Sequence, residues 1–297
     1  MPRPAAPKLT RRTLFRTALG TTLAAPILGA GGLAYAREIE ADWIEITRHD
    51  VPIPHLPRVF DGFTLTQISD LHCDEAALNI DLAAACELAS AQNSDVLVVT
   101  GDFSSYVTPE KTPRKLLPLL QKLRAREGVF GVMGNHDYWG EKPEILRATF
   151  QKSPLRELRN ELHIFERDGQ KLYLGGHDDF LYTYPPLSKL SDQIPPGSAA
   201  ILLGHEPDLL NDVSDLEKYA LFLAGHSHGG QICWPTGRPV KLPYGAQTYS
   251  RGWYQRKNTR LYVNRGLGTV GFPMRFAARP EISVFTLRAP VSGVENS

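Results

Sequence analysis

Acidic residues are missing from two stretches of this 297-residue chain. Residues 1–36 hold five basic side chains and no Asp or Glu; residues 229–280 hold nine basic side chains and none. The net charge is nonetheless +1, so the acidic excess falls on the rest, chiefly 37–228. A one-sign block as long as 229–280 suggests a surface that faces an anion. Cysteine is scarce as well. Cys73, Cys86 and Cys233 make an odd count that excludes a disulfide scaffold. Each reads as a small buried hydrophobe, and Cys73 alone stands beside a candidate metal ligand, His72. Low-complexity tracts and internal repeats are absent, which excludes a solenoid or a disordered tail protein.

A strongly apolar run is also lacking. Thr17 to Ala36 carries no charge but is rich in Ala, Gly and Thr, weak for a stable span of ~20 apolar residues. Arg11-Arg12 precede it and Ala34-Tyr35-Ala36 end it in a small-x-small pattern. This arrangement resembles a twin-arginine export signal. The expected organisation is a signal segment over 1–36, one domain over 37–290 and a short tail over 291–297. The expected location is the periplasm or the outer face of the cytoplasmic membrane, reached through the twin-arginine machinery.

Strand and helix patterns alternate through the first part. I-E-I-T-R-H and F-T-L-T-Q-I-S-D read as strands, as do D-V-L-V-V-T-G-D, G-V-F-G-V-M-G-N, K-L-Y-L-G-G, A-I-L-L-G-H and A-L-F-L-A-G-H. Helices are expected over 76–91, with Asn79 or Asp81 near the start, over 113–127 with Pro113 in the first turn, and over 142–151. Short strands between Gly/Pro turns follow and end in I-S-V-F-T-L. The pattern implies an α/β core with two packed sheets.

L-A-G-H-S-H-G-G, Leu223 to Gly230, allows two readings: a turn with two surface histidines, or a metal site. Four other strand ends repeat the grammar: Ser69-Asp70-Leu71-His72, Gly101-Asp102, Gly134-Asn135-His136-Asp137 and Gly204-His205. In open α/β sheets ligands bind beyond the carboxyl ends of the strands. Five such ends deliver two carboxylates, one amide and four imidazoles as candidate ligands, with His136 in addition. Asp70 and His72, two apart on an extended chain, are expected to point the same way, as are His226 and His228.

D-L-H, G-D, G-N-H-D, G-H and G-H-S-H, in that order, resemble the calcineurin-like metallophosphoesterase superfamily. Q-I-S-D-L-H, G-H-S-H-G-G-Q and Y-V-N-R-G-L-G resemble its exported YkuE/YaeI-like phosphodiesterase branch. The resemblance covers about Thr64 to Leu287. It implies a four-layer α/β/β/α sandwich of two mixed sheets, with the metal site at the strand C-terminal ends. It implies two divalent ions, Mn, Zn, Fe or Co. Asp70, His72, Asp102 and His228 would hold one, and Asp102, Asn135, His205 and His226 the other. His136 would act on the leaving oxygen as general acid or hydrogen-bond donor, and Asp137 would orient or electrostatically support it. The implied reaction is hydrolysis of a phosphate ester by attack of a metal-bound hydroxide.

The substrate is left open by fold and metals. Phosphodiesters lead; a lipid-linked pyrophosphate of the UDP-diacylglucosamine type follows. A non-catalytic envelope-binding protein with a structural metal site is the contrasting class, and His136-Asp137 argue against it. Candidate substrate contacts are His177, Arg251 and Arg275. Segment 229–280 also carries Trp234, Tyr244, Tyr249, Trp253, Tyr254 and Phe272. It is expected to rim the site and to meet an anionic membrane through Arg251, Arg256 and Lys257, or a nucleotide or glycolipid head group; the aromatics equally suit the core of the second sheet. No protein partner is expected.

Overall fold

Alternation inside the apolar runs decides the architecture. Strand β3 (Val96–Thr100) turns Val96 and Val98 to one core and Leu97 and Val99 to another. Strand β8 (Ala199–Leu203) does the same with Ile201 and Leu203 against Ala200 and Leu202. A strand covered on both faces belongs in the middle of a layered α/β fold.

The computed structural model describes residues 29, 31–75, 80–140, 142–183, 185–212 and 214–290. Most of the expected export segment, 1–28 and 30, and the expected tail, 291–297, lie outside the described residues. One six-stranded sheet runs β1 (Glu45–Pro52), β12 (Glu281–Arg288), β2 (Thr64–Ile68), β3, β4 (Gly128–Val132), β5 (Leu155–Glu157). The other runs β10 (Gly252–Arg256), β11 (Thr259–Val263), β9 (Leu221–Ala224), β8, β7 (Gln170–Gly176), β6 (Glu161–Arg167). Strands β2 to β5 are parallel, and so are β7, β8, β9 and β11. Antiparallel β12–β2, β6–β7 and β10–β11 pairs make both sheets mixed.

One core lies between the sheets. Helices Leu82–Ser90, Lys111–Leu120 and Pro143–Phe150 cover the outer face of the first sheet. The short helices Ser188–Ser191 and Leu209–Asp212 lie on the second. This is the expected four-layer α/β/β/α sandwich. The first helix starts late, at Leu82, because Asp81 accepts the Ala83 and Ala84 N–H groups at 3.0 Å and caps it. The second ends at Leu120, short of 127; Pro118 inside it removes one helical hydrogen bond.

Candidate metal centre

Five strands, β2, β3 and β4 of one sheet and β8 and β9 of the other, end at the same place. The residues after them turn sharply. Asp70, His72, Asp102, His226 and His228 all have φ between 45° and 70°. This corrects the extended geometry expected for Asp70/His72 and His226/His228. Each ligand pair converges through left-handed turns, a strained state that Asp and His tolerate better than bulkier residues. The neighbouring glycines make room. A Cβ on Gly134 would lie 2.7 Å from His205 Nε2, and one on Gly225 would overlap Ser69 Oγ and Asp70.

Two groups of ligand atoms result, each within 4.8 Å: Asp70, His72, Asp102 and His228, and Asp102, His205 and His226. Asp102 belongs to both. Its Oδ2 lies 3.5 Å from His72 Nε2 and 3.1 Å from His205 Nε2. Its Oδ1 accepts the His136 backbone N–H at 3.0 Å. His72 Nε2 and His228 Nε2 are 3.1 Å apart, as are His226 Nδ1 and His205 Nε2. The other ring nitrogen of each imidazole is held from behind. His72 Nδ1 meets Ser105 Oγ at 3.0 Å, His205 Nδ1 the Thr100 carbonyl at 2.7 Å, His226 Nε2 the Tyr244 carbonyl at 2.8 Å, and His228 Nδ1 the Gly268 carbonyl at 3.4 Å. Such outer partners fix the ring nitrogen offered to a metal.

The residues fit two cations. Among the described residues no donor reaches the buried Oδ1 of Asn135, an oxygen that an ion would satisfy. Burial pushes His72 and His226 down to about 3 and holds His228 well below the histidine range, so all three stay neutral, the form that ligates. Burial pushes the Asp70 carboxyl up to about 6. Burial opposes charge on Asp102 too, but the histidines around it, His205 foremost, hold it well below the usual range. Burial likewise pulls His205 down, and Asp102 with Asp70 and Glu206 overcomes that, raising it. The donor set of imidazole, carboxylate and amide oxygen suits Mn, Zn, Fe or Co.

His136 stands beside the ligands. Its Nδ1 donates to the Ser105 carbonyl at 3.0 Å, which leaves Nε2 without a hydrogen-bond partner among the described residues, and its ring packs 3.7 Å from Trp139. Of the two roles expected for Asp137, the first is corrected: its hydrogen bonds do not go to the His136 ring, so it does not orient that ring directly. Its carboxylate accepts the Ser104 and Gly134 N–H groups at 3.1 and 3.0 Å and is fully buried, so it shapes the turn that carries Asn135 and His136.

The expected substrate contacts are corrected. Arg275 is fully buried. Its guanidinium donates to the carbonyls of His228, Ala278, Gly266 and Gly268 at 2.5–3.3 Å. Arg251 donates to the Ala277 carbonyl at 2.8 Å and to that of Gly237. His177 is buried with Nε2 on the Pro185 carbonyl, and its neighbour Asp178 binds Tyr138 and Arg159. All three expected contacts hold loops. Cys73 is buried and belongs to neither ligand group. The positioning groups that sequence reasoning missed, Thr100, Ser105, Tyr244 and Gly268, act mostly through backbone carbonyls, which every residue owns.

Residues 63–230 match the sequence profile of the calcineurin-like phosphoesterase family. The chain is 34% identical over 287 residues to metallophosphoesterase YkuE of Bacillus subtilis, covering 95% of this chain and 99% of that one. Metallophosphoesterase YkoQ of the same organism is 26% identical over 228 residues, 74% of this chain and 81% of its own. UDP-2,3-diacylglucosamine pyrophosphatase LpxG of Chlamydia trachomatis is 27% identical, with 89% of this chain and 94% of that one covered. A ligand set that lies wholly within the matched residues, on a chain that follows YkuE almost end to end, has one reading: the protein belongs to the calcineurin-like phosphoesterase family of metal-dependent phosphoric ester hydrolases.

Proposed function

We propose that the chain hydrolyses phosphodiester bonds with two divalent ions, outside the cytoplasm. The observation that carries the reading is the double ligand group sharing Asp102, with the free Nε2 of His136 beside it. When bound, the ions supply an activated water and neutralise phosphate charge. The chain's own residues do the rest. The Ser105 carbonyl accepts from Nδ1 and fixes the His136 ring, leaving Nε2 to serve the departing oxygen; Nε2 acts there as proton donor or hydrogen-bond donor when the ring is doubly protonated, with its Nδ1–H still on that carbonyl. Asp137 keeps that turn closed. The packed ends of both sheets exclude bulk water, which strengthens every charge interaction inside. Arg11-Arg12 ahead of the uncharged run 17–36 support export.

A second reading, cleavage of a lipid-linked pyrophosphate, is favoured by the likeness to LpxG over 94% of that protein's length. The test is turnover of bis-p-nitrophenyl phosphate against p-nitrophenyl phosphate by metal-stripped protein reloaded with Mn or Zn. The expected result is diester turnover that is lost in Asp102→Asn. Faster monoester turnover would overturn the diester preference. No turnover of either with two ions bound would move the reading to pyrophosphates.

A further inference from the structure

The loops that back His226 and His228 form one bonded rim. Gln231 Nε2 donates to the carbonyls of Val270 and Phe272 at 3.1 and 3.0 Å, and its Oε1 accepts the Val270 N–H at 2.9 Å. Ile232 bridges Phe276, and Cys233 bridges Pro239 to close a hairpin whose tip lies at 234–238. Tyr244 follows, with its carbonyl on His226. On this rim Trp234, Val240, Tyr244 and Phe272 are 57–69% exposed. Arg238 and Lys241 are exposed among them, and no Asp or Glu lies anywhere in 229–280. Arg251, Arg256 and Lys257, the cations expected to meet a membrane, are engaged elsewhere. Arg256 donates to the Leu210 carbonyl and Lys257 pairs with Glu217. Of the aromatics, Trp253 packs on Tyr262 and Phe285, and Tyr249 on Tyr254.

Exposed aromatics interleaved with cations are the chemistry of a bilayer interface with anionic headgroups. A second feature enters at the same rim. The uncharged run 17–36 ends where Tyr35 meets Phe276 edge-on at 6.4 Å and the Ala36 carbonyl accepts the Arg275 N–H at 2.9 Å. We propose that this rim docks on an anionic membrane surface through Trp234, Phe272, Arg238 and Lys241, bringing the metal centre against phosphate-bearing headgroups. What the centre does there rests on the phosphohydrolase reading; the docking does not. A second copy is the poorer occupant, because a two-fold contact would set Arg238 and Lys241 against like charges.

The full metal-loaded chain is mixed with vesicles of phosphatidylcholine, with and without phosphatidylglycerol, carrying brominated acyl chains that quench tryptophan. Quenching is expected on the anionic vesicles and is expected to disappear in Trp234→Phe. The double variant Arg238→Gln/Lys241→Gln is expected to bind anionic vesicles about tenfold more weakly. An apolar N-terminal run bound to lipid by itself would leave the Trp234 signal silent. Quenching unchanged in Trp234→Phe, indifference to phosphatidylglycerol, or substitutions that dissociate a dimer without altering vesicle binding would each overturn the proposal. Hydrolysis of bis-p-nitrophenyl phosphate by the same samples reads the other claim separately. Equal turnover in wild type and variants supports a purely peripheral role for the rim. Absence of turnover in all of them removes the phosphohydrolase reading and leaves the docking result standing.

Discussion

His136 and Asp70 carry the chemistry that single residues can test. The Ser105 carbonyl occupies His136 Nδ1, and no ligand group includes the ring, so its removal should spare the ions. His136→Gln is expected to keep both metals, measured by atomic absorption, and to lower turnover by roughly 10²–10⁴-fold, the range of a general acid. Loss of metal in that variant would instead make His136 a support for the ligands. Asp70 sets the pH dependence of loading. Burial raises its carboxyl to about 6, so below that pH a proton must leave before the ion enters. His205, raised by Asp102 and its acidic neighbours against the pull of burial, adds a second proton to displace at higher pH. His72 and His226, at about 3, add none in this range. Affinity for Mn or Zn should therefore fall by about tenfold or more per pH unit below pH 6, with protons released on binding. Calorimetry in buffers of different ionisation enthalpy checks it; a flat profile would refute the assignment. Asp102, His205 and the H-x-H pair were legible in sequence because ligands must be particular side chains. Arg275 was not: an arginine whose partners are four carbonyls reads the same as one that awaits a phosphate.

Strand ends and the turns after them are the units that build the centre. The left-handed ligands depend on glycines that approach them closely. Gly225→Ala would push a methyl into Ser69 and Asp70, shifting a ligand and costing roughly 1–3 kcal/mol. The expected outcome is a stable fold at room temperature that binds fewer than two ions per chain, read by metal analysis beside a denaturant melt. Arg275 links three turns, those of His228, Gly266–Gly268 and Ala278. Burial lowers it to about 10, so it remains a cation at neutral pH. Arg275→Lys should lose roughly 2–4 kcal/mol, because a compact ammonium cannot span four carbonyls. An unchanged urea midpoint would contradict that role. Short continuous apolar runs exposed most strands in advance, yet β6 escaped. Its Leu162 and Ile164 face one way and Phe165 the other, with charged residues at both ends, so no clean stripe marks it. The insertion of β12 between β1 and β2 also escaped, since pairing over more than two hundred residues leaves no local pattern.

At the scale of the molecule, the charge map was legible and its meaning only partly so. The sequence counts the cations of 229–280, but their carbonyl and carboxylate partners, which separate Arg251 and Lys257 from Arg238 and Lys241, come from chain folding. The two sheets face the same issue at their C-terminal ends. Direct bonds already stitch them there, among them Gln67 Nε2 to the Ala224 carbonyl at 3.0 Å, His205 Nδ1 to that of Thr100 at 2.7 Å, the His226 N–H to Asp70 at 3.1 Å, and the Leu267 and Gly268 N–H groups to the Ser69 and Asp70 carbonyls at 2.9 and 2.7 Å. Asp70 and Asp102, from one sheet, share ligand groups with His228, His205 and His226 from the other. Two ions would therefore clamp sheet to sheet. An ion present at 100 times its Kd stabilises the folded chain by about 2.7 kcal/mol. For a domain of this size each kcal/mol moves Tm by roughly 2–4 °C, so chelation of both ions should lower it by roughly 10–20 °C. Asp102→Asn, which weakens both groups at once, should abolish more than half of that shift, whereas His136→Gln should leave it intact. Calorimetric scans with and without chelator decide the matter, and a Tm indifferent to chelator would mean that no common ion joins the two sheets.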